Sequence, residues 1–221
     1  MNHPKRPLSI APVRDHDKVF ELVAPYSAWK ARRLPEPSTA PLAAVADGLV
    51  AIVAAEGPML DHRAFHTYTR AAGLGRAGRL VAQAYAKALK RELKSGRLVA
   101  DPDDAGADEQ VLRVPAQPLV ALRERGDRTL EEVPLGEITA LIRKLELERG
   151  EAVASPEERF RRVLGVYELT RLTGKAKARL ERACVLAALP RWQNTLSSNF
   201  EPEAALKIAK PRRTIRRLRH G

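Results

Sequence analysis

In the string Gly73-Leu74-Gly75-Arg76-Ala77-Gly78, residue types and spacing suggest chemistry. Read literally it is G-x-G-x-x-G, whose glycines let a backbone approach a pyrophosphate when the string follows a strand inside a βαβ unit. Here a helical pattern precedes it and no alternating strand-helix series surrounds it. The expected structure is therefore the tight turn of a helix-turn-helix. The helix after the turn presents free N–H groups at its start, an end that suits an anion such as a DNA phosphate, with Arg76 and Arg79 beside it.

The helix launched by that turn carries the strongest binding signal. From about Ala77 to Lys94 an apolar stripe of Val81, Ala84, Tyr85, Ala88, Leu89 and Leu93 is opposed by Arg79, Gln83, Lys87, Lys90, Arg91 and Lys94, with no acid before Glu92. An ordinary solvated helix face has a similar composition. The third-helix position favours recognition instead: long cations neutralise phosphates there, and Gln83 can reach a base edge. A second group, Arg171, Lys175, Lys177 and Arg179, lies near a later helix, but Glu181 interrupts it, so a scaffolding or partner-binding role is equally open. The C-terminal residues Lys210, Arg212, Arg213, Arg216, Arg217 and Arg219 add six cations without an acid between them.

Other constellations fail on chemistry. His62 and His66 stand four apart on a helical pattern, the spacing of two zinc-binding imidazoles, but Arg63 sits where a metalloprotease needs its glutamate and no third ligand is evident. Gly174-Lys175 ends like a phosphate-binding loop, yet residue 169 is Leu and Ala176 replaces the required Ser or Thr. No serine, cysteine or carboxylate pair forms a recognisable catalytic arrangement. The expectation is a non-enzyme with neither cofactor nor metal.

The elements that must position these residues read as mainly α. Pro41 opens a first helix, where Leu42, Val45, Leu49, Ile52 and Val53 recur until Gly57-Pro58. Asp61 can cap a second, with Phe65, Tyr68 and Ala72 inward, ending at Gly73. Gly96 ends the third, and strand-like runs at 97–100 and 110–114 enclose an acidic loop with Asp101, Asp103, Asp104, Asp108 and Glu109, unsuited to phosphate. Three helices followed by a hairpin make a winged helix. After a connector the pattern returns: Ile138, Leu141, Ile142, Leu145 and Leu147, then a Ser155-Pro156-Glu157-Glu158 cap, then a helix from about Thr173 to Leu189. An offset of 95 residues superposes Phe65 on Phe160, Leu74 on Leu169 and Arg76 on Arg171, a degenerate repeat. The organisation expected is a proline-rich arm (1–40), winged-helix unit one (41–114), a connector (115–132), helix-turn-helix unit two with a degenerate or absent wing (133–190), and a loop with a basic tail (191–221).

Composition bounds the rest. With 221 residues, 44% hydrophobic and 30% charged, the chain can bury a core without disulfides, and its one cysteine, Cys184, reads as core. Few aromatics and much Ala, Leu, Arg, Glu and Lys favour helices. A net charge of +12 and a pI near 10.2 attract polyanions whatever the fold. No apolar run approaches membrane-spanning length and no signal-peptide pattern opens the chain, so a cytoplasmic protein is expected.

The segments Ile52-Val53-Ala54-Ala55-Glu56-Gly57-Pro58 and Ala72-Gly73-Leu74-Gly75-Arg76-Ala77-Gly78, echoed by Leu169-Thr170-Arg171-Leu172-Thr173-Gly174, give the chain a family likeness. It resembles a domain of unknown function near the C-terminus of large bacterial superfamily-one helicases, which often carry a restriction-endonuclease-like nuclease domain. The resemblance runs from about Leu42 to Leu189. It implies an accessory DNA-binding or interdomain role in a helicase and nuclease system of the genome-defence type, with the motor and nuclease supplied by a separate partner or the domain reused alone. The leading expectation is a duplex-DNA-binding module. The alternatives are a protein-interaction adaptor that uses the acidic wing loop and the 115–132 connector, and an RNA-binding protein that uses the arginine tail.

Overall fold

A computed structural model of the chain describes residues 22–30, 32–103, 109–149 and 155–188. Apolar residues at helical spacing form α1 (Leu42–Glu56), which turns Val45, Leu49, Ile52 and Val53 inward and stops at Gly57. A two-residue strand β1 (Met59–Leu60) leads directly into α2 (Asp61–Ala71). After the glycine turn come α3 (Arg79–Ser95), closed by Gly96 at φ 73°, and the strands β2 (Val99–Pro102) and β3 (Gln110–Arg113). The three strands form an antiparallel sheet in the order β1-β3-β2, with Met59 opposite Leu112 and Ala100 opposite Leu112 from the other side. The hairpin follows from sequence pattern, but β1 is too short to carry a period.

The second half is helical among the described residues: a 3₁₀ turn (Leu130–Glu132), then α4 (Leu135–Arg149), α5 (Pro156–Val166) and α6 (Gly174–Ala188). Ser155 caps α5 as the sequence implies, its Oγ accepting from the Glu158 N–H, with Pro156 at the first helical position. Asp61, by contrast, is the first residue of α2 rather than its cap; its carboxylate accepts from the Tyr85 hydroxyl at 2.8 Å.

The offset of 95 residues holds in the backbone. It carries Asp61–Ala71 onto Pro156–Val166 and the first residue of α3, Arg79, onto the first residue of α6, Gly174. The hydrogen bonds that end α2, from Ala72 N–H to Tyr68 O, Gly73 to Arg70 and Leu74 to Thr69, recur as Tyr167 to Val163, Glu168 to Gly165 and Leu169 to Leu164. Both helices thus close through a left-handed residue, Gly73 at φ 75° and Glu168 at φ 53°. Glycine takes that conformation freely; a glutamate takes it against its own Cβ.

Two apolar cores sit side by side. The first joins α1, Tyr68, Tyr85, Ala88, Leu89 and Leu112; the second joins Ile138, Leu141, Ile142, Phe160, Val163, Leu164 and Leu180. Residues 22–30 and 32–40, read from their prolines as part of an arm, form a strap that packs on both. Leu22 and Val23 lie in the second core and Leu34 in the first. Ala24 pairs with the connector, donating to Leu122 O and accepting from Glu124 N–H.

The 115–132 connector is equally built in. Its arginines satisfy the free carbonyls of helix ends: Arg123 donates to Glu56 O (2.6 Å) and Pro58 O (2.7 Å), and Arg125 to Tyr167 O (2.9 Å). Glu137 of α4, 1% exposed, accepts from both Arg123 and Arg128 at 3.0 Å. Arg63 of α2, also 1% exposed, pairs with Glu56 (2.9 Å), Asp127 (2.8 Å) and Glu132 (3.2 Å). The guanidiniums of Arg128, Arg123 and Arg63 lie 4.4, 5.6 and 5.8 Å from the ring centroid of Tyr26, whose hydroxyl donates to Glu56. Buried charges survive only when paired, and this network pairs charges of the first half with charges of the second.

Candidate nucleic-acid interface

The cationic face of α3 is built by the burial of the opposite one. Val81, Tyr85, Ala88 and Leu89 are buried in or beside the first core, so Arg79, Gln83, Lys87, Lys90, Arg91 and Lys94 are all exposed. Arg79, Gln83, Lys87, Lys90 and Lys94 follow one another at steps of three and four, a single stripe along the helix. The one acid of α3, Glu92, is 1% exposed and pairs with Arg97, which also binds Asp47 at 2.9 Å. Arg91 reaches Glu92 at 3.5 Å. Apart from that contact, the stripe has no carboxylate partner among the described residues, so its positive potential is not cancelled locally.

The start of α3 matches the stripe in sign. Its cap is Gly78, no side chain bonds to the first turn, and no acid occupies it. The N–H groups of Arg79, Leu80 and Val81 precede the first intrahelical bond, from Ala82 N–H to Gly78 O. Arg76 is exposed in the turn before it. Of the three glycines in the string only Gly73 has a positive φ; at Gly75 and Gly78 a Cβ would meet nothing within 4 Å. Only the first glycine is therefore demanded by the turn. Leu80, 64% exposed, is the apolar intruder at this end.

The second group divides. Arg171 and Lys175 are exposed, and Lys177 is exposed but lies 3.5 Å from Glu181. Arg179 does not belong with them: its side chain is 9% exposed, paired with Asp103 (3.0 Å) and Glu109 (3.2 Å), and it donates to Val133 O. Four of its five N–H donors are thus engaged within the chain, which sets it apart from the exposed cations beside it. The same contacts give two acids of this loop an internal role. Asp103 is buried, and its two oxygens accept from the Leu135 N–H at 2.9 and 3.1 Å, so the hairpin of the first half caps α4 of the second. Burial lifts the Asp103 carboxyl above its ordinary value, against the pull of Arg179. Asp104 and Asp108, and the tail cations Lys210, Arg212, Arg213, Arg216, Arg217 and Arg219, lie outside the described residues.

His62 and His66 meet edge to face, 6.1 Å between centroids, and His62 lines an open cleft of about 260 Å³ with Asp61, Phe65 and Tyr85. Among the described residues no three His, Cys, Asp or Glu side chains converge to hold a metal ion. Cys184 packs half-buried on the second core, and burial raises its thiol pKa. No described helix is long and apolar enough to cross a membrane. Sequence reading passes over Arg70, exposed in the last turn of α2 two residues before Ala72, because helix wheels compare one helix at a time. No family model, no curated protein and no solved structure matches the chain.

Proposed function

We propose that the chain is a non-catalytic DNA-binding module in which α3 lies on duplex DNA. The observation that carries this reading is the exposed, acid-free stripe of Arg79, Gln83, Lys87, Lys90 and Lys94, continued by Arg76 and an uncapped helix start. The element order α1-β1-α2-α3-β2-β3 supports reading the first half as a winged helix, with α3 as its recognition helix. The repeated α4-α5-α6 frame is then a second helix-turn-helix without a wing. The hairpin touches the second half through Asp103 and Glu109, so the helix and not the wing carries the contact. In this reading a helicase or nuclease partner supplies any catalysis. The adaptor alternative loses ground because Asp103, Glu109 and connector residues Arg123, Arg125 and Arg128 already serve internal contacts.

Fluorescence anisotropy with a labelled duplex tests the placement. Reversing Arg79, Lys87 and Lys90 to Glu should weaken binding at low salt by roughly 100-fold or more, since each phosphate contact contributes a slope of about 0.9 in log K against log salt. A control reversal of three exposed cations on α6, Lys175, Lys177 and Arg182 to Glu, should change affinity by less than about threefold, because the stripe there is interrupted. Binding that survives the α3 reversal unchanged refutes the placement.

A further inference from the structure

Three exposed arginines outside α3 belong to segments that meet at the end of α2. Arg70 lies in the last turn of α2, and Arg32 and Arg33 lie on the strap. The strap is fastened immediately after Arg33. The Leu34 N–H donates to Ala71 O at 3.0 Å, the Leu34 side chain is 7% exposed within the first core, and the Tyr68 hydroxyl donates to Pro35 O at 3.2 Å. Gly48 makes the seat possible: a Cβ there would stand 2.8 Å from the Tyr68 ring and 3.3 Å from Leu34. Arg33 is thus held next to Ala71, two residues ahead of Gly73, where the turn into α3 begins. None of Arg32, Arg33, Arg70 or Arg76 has an acidic partner among the described residues.

We propose that the phosphate-contacting surface continues from α3 onto the strap, with Arg32 and Arg33, next to Arg70, meeting the backbone of the same duplex. The inference rests on the DNA-binding reading of α3. A flexible arm would lose conformational freedom on binding; here the backbone beside Arg33 is already fixed, so its cation reaches a phosphate at less entropic cost. The carbonyl end of α2 also attracts cations, but that attraction alone leaves no mark on the salt dependence of DNA binding.

The test uses the full chain, a short labelled duplex and a potassium chloride titration. Replacing Arg32 and Arg33 together by Ala should lower the slope of log K against log salt by about 2, one unit per lost phosphate contact, and weaken binding at least tenfold in low salt. The conservative double variant, Arg32→Lys with Arg33→Lys, should keep the parent slope, since a point charge suffices for phosphate. Thermal melting checks that both variants fold as the parent does. If the α3 reversal abolishes binding while Arg32→Ala with Arg33→Ala leaves the slope unchanged, the strap is no part of the surface and the α3 reading stands. If the parent chain binds no duplex, both fall.

Discussion

Helices α3 and α6 begin 95 residues apart, each after a helix displaced by the same offset, yet they present different chemistry to solvent. Position by position, Arg79, Gln83, Lys87 and Lys90 of α3 correspond to Gly174, Ala178, Arg182 and Val185 of α6, all exposed. Val185 is 62% exposed where Lys90 stands in the first half. The inward positions keep their character: Val81, Tyr85 and Ala88 correspond to Ala176, Leu180 and Ala183, all buried. Packing thus holds the frame in both halves, while nothing in the core constrains the outward face. Similar packing therefore does not imply a shared ligand, and core packing does not dictate the composition of the α3 stripe.

The largest expected effect asks whether the two halves are one cooperative body. All four tyrosines are held protonated: Tyr68 and Tyr85 in the first half, Tyr167 in the second and Tyr26 at the junction. Burial is the leading cause in each, and Tyr68 is pushed up to about 12. Unfolded tyrosines ionise near pH 10, so stability is fully present below that pH and is lost as pH rises toward the folded values. Each pH unit costs about 1.4 kcal/mol per tyrosine, together roughly 5 kcal/mol at pH 11. Absorbance at 295 nm (the tyrosinate band) and circular dichroism should report one step, with tyrosinate appearing only as helix is lost. Two separate steps would show that the halves unfold independently.

Next in size is the ionic junction itself. Glu137 faces two buried arginines, and Glu137→Gln leaves Arg123 and Arg128 without a counter-charge. Removing one partner of such a buried pair costs about 3–5 kcal/mol. Urea unfolding monitored by circular dichroism should show the midpoint fall in a single transition, because Arg123 also holds the end of α1 in the first half. A loss confined to the second half would separate the two frames.

The contrast between the halves also explains what can be read in advance. Helix spans, the Ser155 cap, the hairpin and the outward face of α3 follow from local period and local chemistry, and each is legible. The strap and the connector are not. Arg63, Arg123, Arg128 and Glu137 look like surface residues in any window of sequence, since charges are ordinarily solvated. Their burial depends on partners such as Glu56 and Glu137, which lie 7 to 67 residues away in their hydrogen bonds. Arg179 misleads for the same reason: its neighbours in sequence are cationic, but its neighbours in space are Asp103 and Glu109. The acidic loop reads as unsuited to phosphate, but the cap that its Asp103 forms on α4 depends on residues 32 positions away.

The smallest expected effect tests the repeat at its most local point. Gly73 and Glu168 end equivalent helices with the same hydrogen bonds and the same left-handed turn, so exchanging their residue types should move stability in opposite directions. Gly73→Ala adds a Cβ that meets nothing within 4 Å, leaving backbone strain at φ 75° as the only cost, about 1 kcal/mol. Glu168→Gly removes that strain at φ 53°, offset in part by the greater freedom of glycine in the unfolded chain, for a net gain of about 0.5 kcal/mol. For a chain of this size, thermal melting should shift down by roughly 2–4 °C in the first variant and up by about 1–2 °C in the second. Shifts of the same sign would mean that the two turns, alike in backbone, are not held for the same reason, and the second half would then owe its frame to the junction more than to its own helix ends.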